Sequence, residues 1–336
     1  KKHQNEIAIS FGEKTINYGL LNDLSIRIAS IIQTHKSDNT IVGILGQRNF
    51  SVYFGILGSV YSGCTYVPIN DKYTEEKIFK IIQESKISIL IGNEQSINSI
   101  CKILNKTSIK TIILPEKNIS DLKNNISNKI KIYYEKDILK QKEINPKQVN
   151  NSDIFYILFT SGSTGNPKGV MVTNSNIQSF INNFRKYFDL KIGYKASQTF
   201  DLGFDLSVVD IFLTWISGGQ ICILNNSELL LPYEYLKREK INFWFSVPTL
   251  ATFMLRMGYL TPNSFPDLKY SLFCGEPLTK ELADAWQIAA PNCLIENYYG
   301  PTEATVSITR FLYKKEFKNR KFNNNILPIG NIFNKH

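Results

Sequence analysis

The chain has 336 residues, 43% of them hydrophobic, and its 39 Lys and Arg against 29 Asp and Glu give a formal charge of +10. Such a chain is globular and long enough for two or three structural units. The first residues, KKHQNEIAIS, lack the apolar run of a signal peptide, and no run approaches the roughly 20 apolar residues that span a bilayer. We therefore expect a soluble, cytoplasmic protein with no membrane span.

Cysteine and histidine are too few and too dispersed for the usual metal or disulfide frameworks. The five cysteines are odd in number and never form a CxxC pair, so neither a disulfide framework nor a zinc site is predicted. The three histidines, His3, His35 and His336, do not form a set suited to a metal cluster or a Ser-His-Asp triad.

The excess positive charge is spread along the chain. The lysines are scattered and do not form a basic stripe with interleaved aromatic residues, so no nucleic-acid partner is predicted. A solvated basic surface of this kind helps to attract an acidic partner or a polyanionic ligand.

Short apolar runs suited to buried strands alternate with longer segments of helical period. The predicted strands are Thr40–Leu45, Ile87–Ile91, Thr111–Leu114, Ile154–Phe159, Gln220–Leu224, Phe243–Ser246 and Tyr270–Phe273. The predicted helices include Leu20–Gln33, Ile177–Phe188 and Lys280–Ala289. This alternation is typical of α/β folds with mainly parallel sheets, which bind ligands at the carboxyl ends of their strands.

The stretch LFTSGSTGNPKGV, residues 158–170, joins a predicted strand directly to a loop of glycine and hydroxyl residues. Such a loop exposes backbone N–H groups, and its glycines allow a bulky anion to approach the main chain. Lys168 adds a positive charge for the same anion. The segment is not a Walker A loop, because two residues separate Gly165 from Lys168 and a glycine follows the lysine. A flexible linker is the alternative, but a linker has no reason to follow a buried strand. We predict a phosphate-binding loop.

The segment TSGSTGNPKG, residues 160–169, matches the signature TSGSTGxPKG of the adenylate-forming superfamily, which contains peptide-synthetase adenylation domains, acyl-CoA synthetases and luciferases. Further segments resemble motifs of that superfamily in the expected order: INYGLLND, GSVYSGCTYVPIN, FDLSVVDIF, FCGEPLT and NYYGPTEAT. The resemblance covers essentially the whole chain. It implies the N-terminal core of such an enzyme, an α/β fold of two stacked subdomains with mainly parallel sheets and the site in the cleft between them.

The resemblance also implies a division of the chain. Residues 1–38 and 195–312 form one subdomain, 39–194 form the other, and 313–336 begin a truncated β-barrel region. Superfamily members usually continue after the PIG element, here Pro328–Gly330, into the barrel and a small mobile domain with a catalytic lysine. That lysine stabilises charge at the α-phosphate, so we expect the 336 residues alone to bind ATP and an amino acid but to adenylate slowly or not at all.

The implied reaction joins a carboxylate to the α-phosphate of ATP, releases pyrophosphate and then passes the acyl group to a thiol. A carboxylate is already ionised at pH 7, so the first step needs in-line placement and neutralisation of phosphate charge, not a general base. The catalytic assignments are Lys168 at the β- and γ-phosphates, Thr302 at the α-phosphate and Glu303 as the Mg²⁺ ligand. The residues that the resemblance assigns to ATP are Thr160, Ser161, Gly162, Ser163, Thr164, Gly165, Lys168, Gly275, Glu276, Asn297, Tyr298, Tyr299, Gly300 and Thr302.

Asp205 in FDLSVVDIF determines the implied substrate class. It aligns with the aspartate that pairs with the α-ammonium group in peptide-synthetase adenylation domains, and relatives that act on fatty or aryl acids typically lack it. A buried carboxylate is unfavourable without a cation, so an aspartate between Phe204 and Leu206 favours a charged partner. Asp205 is also suited to be the N-cap of a following helix, and the two roles are compatible.

The family's side-chain pocket, carried across position by position, gives Leu206, Val209, Phe245, Leu272, Cys274, Tyr298, Val306 and Ser307, together with Asp205. Its two aromatic residues leave little room, which implies a small or compact amino acid. D-Alanine, alanine, glycine and proline are favoured, because the motifs resemble both D-alanine–carrier-protein ligases and free-standing ligases that load proline onto carrier proteins. Cys274 is either a substrate contact or an ordinary core cysteine.

The implied function is activation of an amino acid as aminoacyl-AMP for transfer to the phosphopantetheine thiol of an acyl or peptidyl carrier protein. An acyl- or aryl-CoA ligase of the same superfamily is the first alternative, for which Asp205 is dispensable. A non-catalytic nucleotide-binding module is the second alternative.

Overall fold

The computed structural model describes residues 3–116, 126–161 and 167–332. In chain order its strands are β1 (Ile7–Phe11), β2 (Lys14–Asn17), β3 (Ile41–Leu45), β4 (Thr65–Ile69), β5 (Ile89–Gly92), β6 (Thr111–Leu114), β7 (Lys131–Tyr134), β8 (Ile154–Ser161), β9 (Pro167–Thr173), β10 (Lys195–Gln198), β11 (Gln220–Ile223), β12 (Phe243–Ser246), β13 (Tyr270–Phe273), β14 (Leu294–Tyr299), β15 (Thr309–Tyr313) and β16 (Asn331–Ile332). Its α-helices are α1 (Tyr18–His35), α2 (Phe50–Tyr61), α3 (Glu75–Ser85), α4 (Glu94–Leu104), α5 (Glu135–Leu139), α6 (Asn174–Phe184), α7 (Leu206–Val208), α8 (Thr214–Ile216), α9 (Asn226–Leu230), α10 (Tyr233–Glu239), α11 (Pro248–Arg256) and α12 (Lys280–Ala289).

Each of the seven predicted strands is present, with ends that differ by two residues or fewer. The helix predicted at Ile177–Phe188 is shorter at its end, because the chain leaves α6 at Phe184 and forms a 3₁₀ turn over Arg185–Tyr187. In the described part of the chain, none of the helices combines the length and the apolar character needed to cross a membrane.

The chain divides into two compact units. Unit 1 comprises Lys1–Asn5, Asn17–Gln178 and Asp201–Phe204, and unit 2 comprises Glu6–Ile16, Ser179–Phe200 and Asp205–His336. This division differs from the predicted grouping of residues 1–38 with 195–312, because α1 packs against α2 and α5 of unit 1.

Unit 1 is built on a seven-stranded sheet in the order β7-β6-β5-β3-β4-β8-β9. All neighbouring strands are parallel except the last pair, β8 and β9, which is antiparallel. Branched aliphatic side chains of the strands and of α3 and α4 form a continuous buried core, for example Leu45, Ile82, Ile97 and Ile112. The carboxyl end of β8, where the predicted phosphate loop begins, is therefore carried by a rigid scaffold.

Unit 2 is built on a nine-stranded sheet in the order β16-β15-β14-β13-β12-β10-β11-β1-β2. The central strands β12, β13 and β14 are parallel, and β15 and β16 add antiparallel pairs at one side. On one face, Trp244, Phe273 and Trp286 are fully buried, and the indole N–H groups of the two tryptophans donate to the hydroxyls of Ser246 and Ser271. This core holds the carboxyl ends of β12, β13 and β14 side by side. The predicted α/β class with mainly parallel sheets is confirmed.

Candidate active site

The residues on either side of the predicted phosphate loop pair as antiparallel strands. Strand β8 ends at Ser161 and pairs with β9 so that Thr160 faces Lys168, and the Thr160 hydroxyl donates to the carbonyl of Lys168 at 3.5 Å. Lys168 is exposed at the start of β9. Of the predicted loop residues, Gly162, Ser163, Thr164 and Gly165 lie outside the described residues, and these assignments stay predictions. A strand after the loop, where a Walker A motif has a helix, agrees with the departure from that motif.

Asp205 is a buried carboxylate in unit 2. Its side chain is 7% exposed, and the atom Oδ2 has no hydrogen-bond partner of good geometry among the described residues. Asp205 occupies the residue before α7 but makes no side-chain capping hydrogen bond, so the predicted N-cap role is wrong. Its φ and ψ of −63° and −23° are already helical, whereas a capping side chain needs an extended backbone to reach back to the helix.

Burial raises the pKa of Asp205 to about 6 from its ordinary value of 3.8. The Thr302 hydroxyl and the backbone N–H groups of Leu206 and Val306 favour the charged form and offset part of this effect. A carboxyl group whose ionisation is unfavourable, and which has an unused hydrogen-bond acceptor, is suited to a cationic ligand. The charge and the hydrogen bonds of the ligand stabilise the ionised form that burial destabilises.

This raised pKa predicts a specific effect of pH on stability. The folded protein binds the Asp205 proton more tightly than the unfolded chain, so the stabilisation is fully present below pH 3.8 and is lost as the pH rises through about 6. The whole contribution is roughly 3 kcal/mol by the linkage relation. Asp205→Asn does not titrate, so we expect its free energy of unfolding in urea, relative to the wild type, to rise between pH 4 and pH 7. Parallel pH profiles of the two proteins would contradict the assignment.

A long helical segment follows Asp205 and contains a π-helical turn. Helix α7 continues into the π turn Val209–Leu213 and then into α8, so the segment runs unbroken to Ile216. The predicted pocket residues Leu206 and Val209 are both buried in this segment. Single π turns inside helices often occur at functional sites.

Four more of the predicted pocket residues lie at the carboxyl ends of neighbouring strands or directly after them. Phe245 and Leu272 are register partners on β12 and β13, and the ring centroids of Phe245 and Tyr298 are 6.4 Å apart. Cys274 directly follows β13, and its thiol is near enough to Asp205 for the carboxylate to raise its pKa further; burial is the larger cause, and together they place it at about 12. All of these side chains are buried. The pocket predicted for the substrate is therefore apolar, with Asp205 as its acidic group.

The residues predicted at the adenine are arranged around the end of β14. The Asn297 side-chain Nδ2 donates to the carbonyl of Pro328 at 2.9 Å, which leaves Oδ1 as a buried acceptor without a partner among the described residues. Tyr299 is 48% exposed. Gly275 is exposed with φ of +93°, and the carboxylate of Glu276 accepts from the backbone N–H and hydroxyl of Thr249, away from the main chain of the Gly275–Glu276 strip. A free amide oxygen beside an exposed aromatic ring fits a purine with an amino group.

Tyr298 is placed differently from its neighbour Tyr299. It is fully buried, its hydroxyl donates to Glu296 at 2.5 Å, and its ring packs against Phe184 and Phe245. Since side chains alternate along a strand, Tyr298 lies on the sheet face of Phe245, opposite to Asn297 and Tyr299. This placement suits the pocket wall, and the additional assignment of Tyr298 to ATP stays a prediction.

A strained turn carries Thr302 and Glu303. These residues begin the 3₁₀ turn Thr302–Ala304, and the next two residues, Thr305 and Val306, have positive φ angles of 62° and 69°. Positive φ is unfavourable for β-branched residues and costs of order 1–3 kcal/mol each. The turn places the backbone N–H of Val306 and the hydroxyl of Thr302 toward Asp205.

Gly300 and Ser307 complete this turn. A Cβ atom added to Gly300 would lie 2.4 Å from the Cα of Ser307, so the two backbones approach more closely than any side chain permits. Ser307 is fully buried and its hydroxyl has no partner among the described residues.

Glu303 is an exposed carboxylate. Among the described residues, no group of three or more His, Cys, Asp or Glu side chains is arranged to hold a metal ion. Mg²⁺ is commonly bound by one or two carboxylates plus phosphate oxygens, so Glu303 fits an ion that arrives with a nucleotide.

Three residues to which the sequence assigned no role in binding or catalysis support this region. Glu296 forms a bidentate ion pair with Arg310, with distances of 2.5 Å from Nη2 to Oε1 and 3.1 Å from Nε to Oε2. Gly330, with φ of +83°, passes so close to the carbonyl of Arg310 that a Cβ atom has no room. Of these features, the sequence indicated only the glycine, which belongs to the PIG element. The ion pair joins residues that are 14 positions apart, and no local sequence pattern predicts it.

Comparisons with known proteins identify the family of the chain. Residues 1–328 match the family described as AMP-binding enzyme. The chain is 31% identical over 323 residues to a D-alanine–D-alanyl carrier protein ligase of Bacillus velezensis, which covers 95% of this chain and 59% of that protein. A ligase of the same name from Listeria monocytogenes is 30% identical over 81% of this chain and 51% of its own length.

Solved structures show the same fold. The Vibrio cholerae adenylation domain AlmE, in complex with glycyl-adenosine-5′-phosphate, has a TM-score of 0.88 and 28% identity over 99% of this chain and 62% of its own. IdnL7 has a TM-score of 0.88 and 25% identity over 98% of this chain and 65% of its own. The chain thus spans between half and two thirds of the length of these relatives. With the match over residues 1–328, this chain belongs to the AMP-binding enzyme family.

Proposed function

We propose that the chain is the ATP- and amino-acid-binding part of a ligase that activates a small amino acid as aminoacyl-AMP. The carboxylate oxygen of the amino acid forms a bond to the α-phosphorus of ATP, and the bond from that phosphorus to the bridging oxygen breaks, releasing pyrophosphate. The observation that carries the proposal is the buried Asp205 carboxylate with its unpartnered Oδ2, within reach of the YGPTE turn. Such an acid is suited to the α-ammonium group of a zwitterion.

For ATP we propose two sets of contacts. Lys168 and the phosphate loop bind the β- and γ-phosphates, and Thr302 contacts the α-phosphate. Oδ1 of Asn297 accepts from the adenine amino group, and Tyr299 stacks on the ring. The unpartnered Oδ1 and the exposed Tyr299 ring support the adenine assignment.

For Mg²⁺ we propose Glu303 as the protein ligand. The ion supplies positive charge that neutralises the phosphates when it is bound. Glu303 is exposed on a short turn, and no group of three or more metal-binding side chains is found among the described residues. Both observations support an ion that binds together with the nucleotide.

For the amino acid we propose a small or compact side chain, with D-alanine, alanine, glycine and proline favoured. The buried rings of Phe245 and Tyr298 limit the pocket. The names of relatives agree: they include D-alanine–D-alanyl carrier protein ligases and a domain solved with glycyl-adenosine-5′-phosphate.

For the second step we propose transfer to the phosphopantetheine thiol of an acidic carrier protein. The formal charge of +10 supports an electrostatic contribution to this encounter. Exposed charges are screened by salt, so carrier binding should weaken as ionic strength rises.

The test is amino-acid-dependent exchange of labelled pyrophosphate into ATP, catalysed by the complete gene product. The panel contains the common L-amino acids and D-alanine. We expect exchange with one or a few small amino acids. Exchange that depends only on a fatty or aryl acid would support the CoA-ligase alternative, and no exchange with any carboxylic acid would support a non-catalytic nucleotide-binding module.

A further inference from the structure

A network of charged and hydroxyl groups lies on the reverse face of the strand that carries Asn297 and Tyr299. Glu296 is only 1% exposed and receives three hydrogen bonds, two from the Arg310 guanidinium and one from the Tyr298 hydroxyl. The guanidinium also lies over the ring of Tyr187, 3.9 Å from its centroid. A buried carboxylate with this many charge-assisted bonds holds its strand in one geometry.

The network brackets Asn297 in the chain. Glu296 and Tyr298 are the two residues on either side of it, and both are anchored on the face opposite to the Asn297 side chain. Tyr298 is the register partner of Arg310 across β14 and β15. Contacts on the opposite face of the sheet therefore hold the backbone between residues 296 and 298, and with it the Cα atom of Asn297.

Arg310 also holds the acceptor that orients the Asn297 amide. Its carbonyl is in close backbone contact with Gly330, and Arg310 pairs with Asn331 of β16. Two residues before Gly330, the carbonyl of Pro328 accepts from Asn297 Nδ2, and this bond makes Oδ1 the free acceptor. Arg310 thus acts on Asn297 through its side chain and through its backbone.

We propose that Glu296 and Arg310 are positioning residues that hold Asn297 for recognition of the 6-amino group of the purine without touching the nucleotide. This inference rests on the proposed function. If Asn297 contributes equally to the bound substrate and the transition state, loss of the network raises the KM for ATP and leaves kcat nearly unchanged. It also weakens the preference for ATP over inosine triphosphate, whose base has an oxo group in place of the amino group.

The experiment uses the complete gene product with two changes together, Glu296→Gln and Arg310→Met. This variant leaves no buried charge without its partner, and the amide oxygen of the new glutamine side chain can still accept from the Tyr298 hydroxyl. We expect a KM for ATP and an ATP-to-inosine-triphosphate preference that each worsen about tenfold, with kcat within about twofold of wild type.

Two further variants separate positioning from stability. Glu228→Leu with Arg238→Met removes another ion pair of unit 2, joined at 2.7 Å, and should change neither KM nor preference. Arg310→Lys alone keeps a positive charge beside Glu296 but not the bidentate geometry, and should reduce the preference about threefold, which tests the inference even if the double variant does not fold. Wild-type preference in a folded double variant, or in Arg310→Lys if the double variant is unfolded, would overturn the inference. Absence of exchange in the wild type would instead refute the proposed function.

Discussion

Replacement of Asp205 by Asn should reduce kcat/KM for the amino acid by about 10²–10³-fold, because truncating one partner of a buried charge pair typically costs 2–5 kcal/mol or more. The carboxamide keeps the size of the side chain but removes the charge that pairs with the α-ammonium group. Since Oδ2 has no hydrogen-bond partner of good geometry among the described residues, the fold should not suffer: a buried carboxylate without a cation is unfavourable at pH 7. The measurement is the rate of pyrophosphate exchange as a function of amino-acid concentration.

A matched control lies five residues further along the same helical segment. Asp210 is a second buried aspartate, 2% exposed, and its charge acts on Tyr194. Asp210→Asn is expected to leave the amino-acid KM unchanged. If Asp205→Asn retained wild-type exchange, the amine-binding role would be refuted and the CoA-ligase alternative would gain support.

Replacement of Gly300 by Ala should destabilise the protein by about 3 kcal/mol, at the upper end of the usual effect of overpacking. The new Cβ atom would meet three backbone atoms, the Cα of Ser307, the carbonyl oxygen of Val306 and the N of Ile308, at 2.4, 2.8 and 3.0 Å. Backbone atoms cannot move aside as a flexible side chain does, so the Thr305–Val306 turn must shift. Because that turn places groups toward Asp205, binding of the amino acid and of ATP should weaken together.

The control for this variant is Gly258→Ala. Gly258 has φ of +74°, and no atom lies within 4 Å of the position that a new Cβ atom would take, so only the cost of positive φ remains, about 1 kcal/mol. Chemical denaturation of both variants gives the comparison. Equal losses of unfolding free energy would show that the close backbone approach at Gly300 contributes nothing.

The sequence predicts the strands of the site better than its turns. Runs such as Phe243–Ser246 and Tyr270–Phe273 are apolar with little interruption. Such runs are typical of buried strands in a parallel sheet that is covered on both faces. The burial of Asp205 was predicted from its apolar neighbours Phe204 and Leu206, although of these two only Leu206 is itself buried. The absence of a capping hydrogen bond from Asp205 to α7 was not predicted, because the sequence does not show that the backbone of Asp205 is already helical.

Other features depend on tertiary packing that leaves no local signal. Thr305 and Val306 are β-branched residues that disfavour positive φ, so local preference predicts the opposite of what the closely packed turn imposes. The assignment of α1 to unit 1 follows from its packing against α2 and α5, which the motif order does not specify. The pairing of Glu296 with Arg310 likewise appears only when β14 and β15 lie side by side.

The most direct measurement is a crystal structure of the complete gene product with a non-hydrolysable aminoacyl-adenylate analogue of its preferred amino acid. We expect the α-ammonium nitrogen within about 3.2 Å of a carboxylate oxygen of Asp205, the usual limit for such a hydrogen bond. An ammonium group bound elsewhere, with Asp205 still unpartnered, would contradict the proposal that this buried acid selects amino acids.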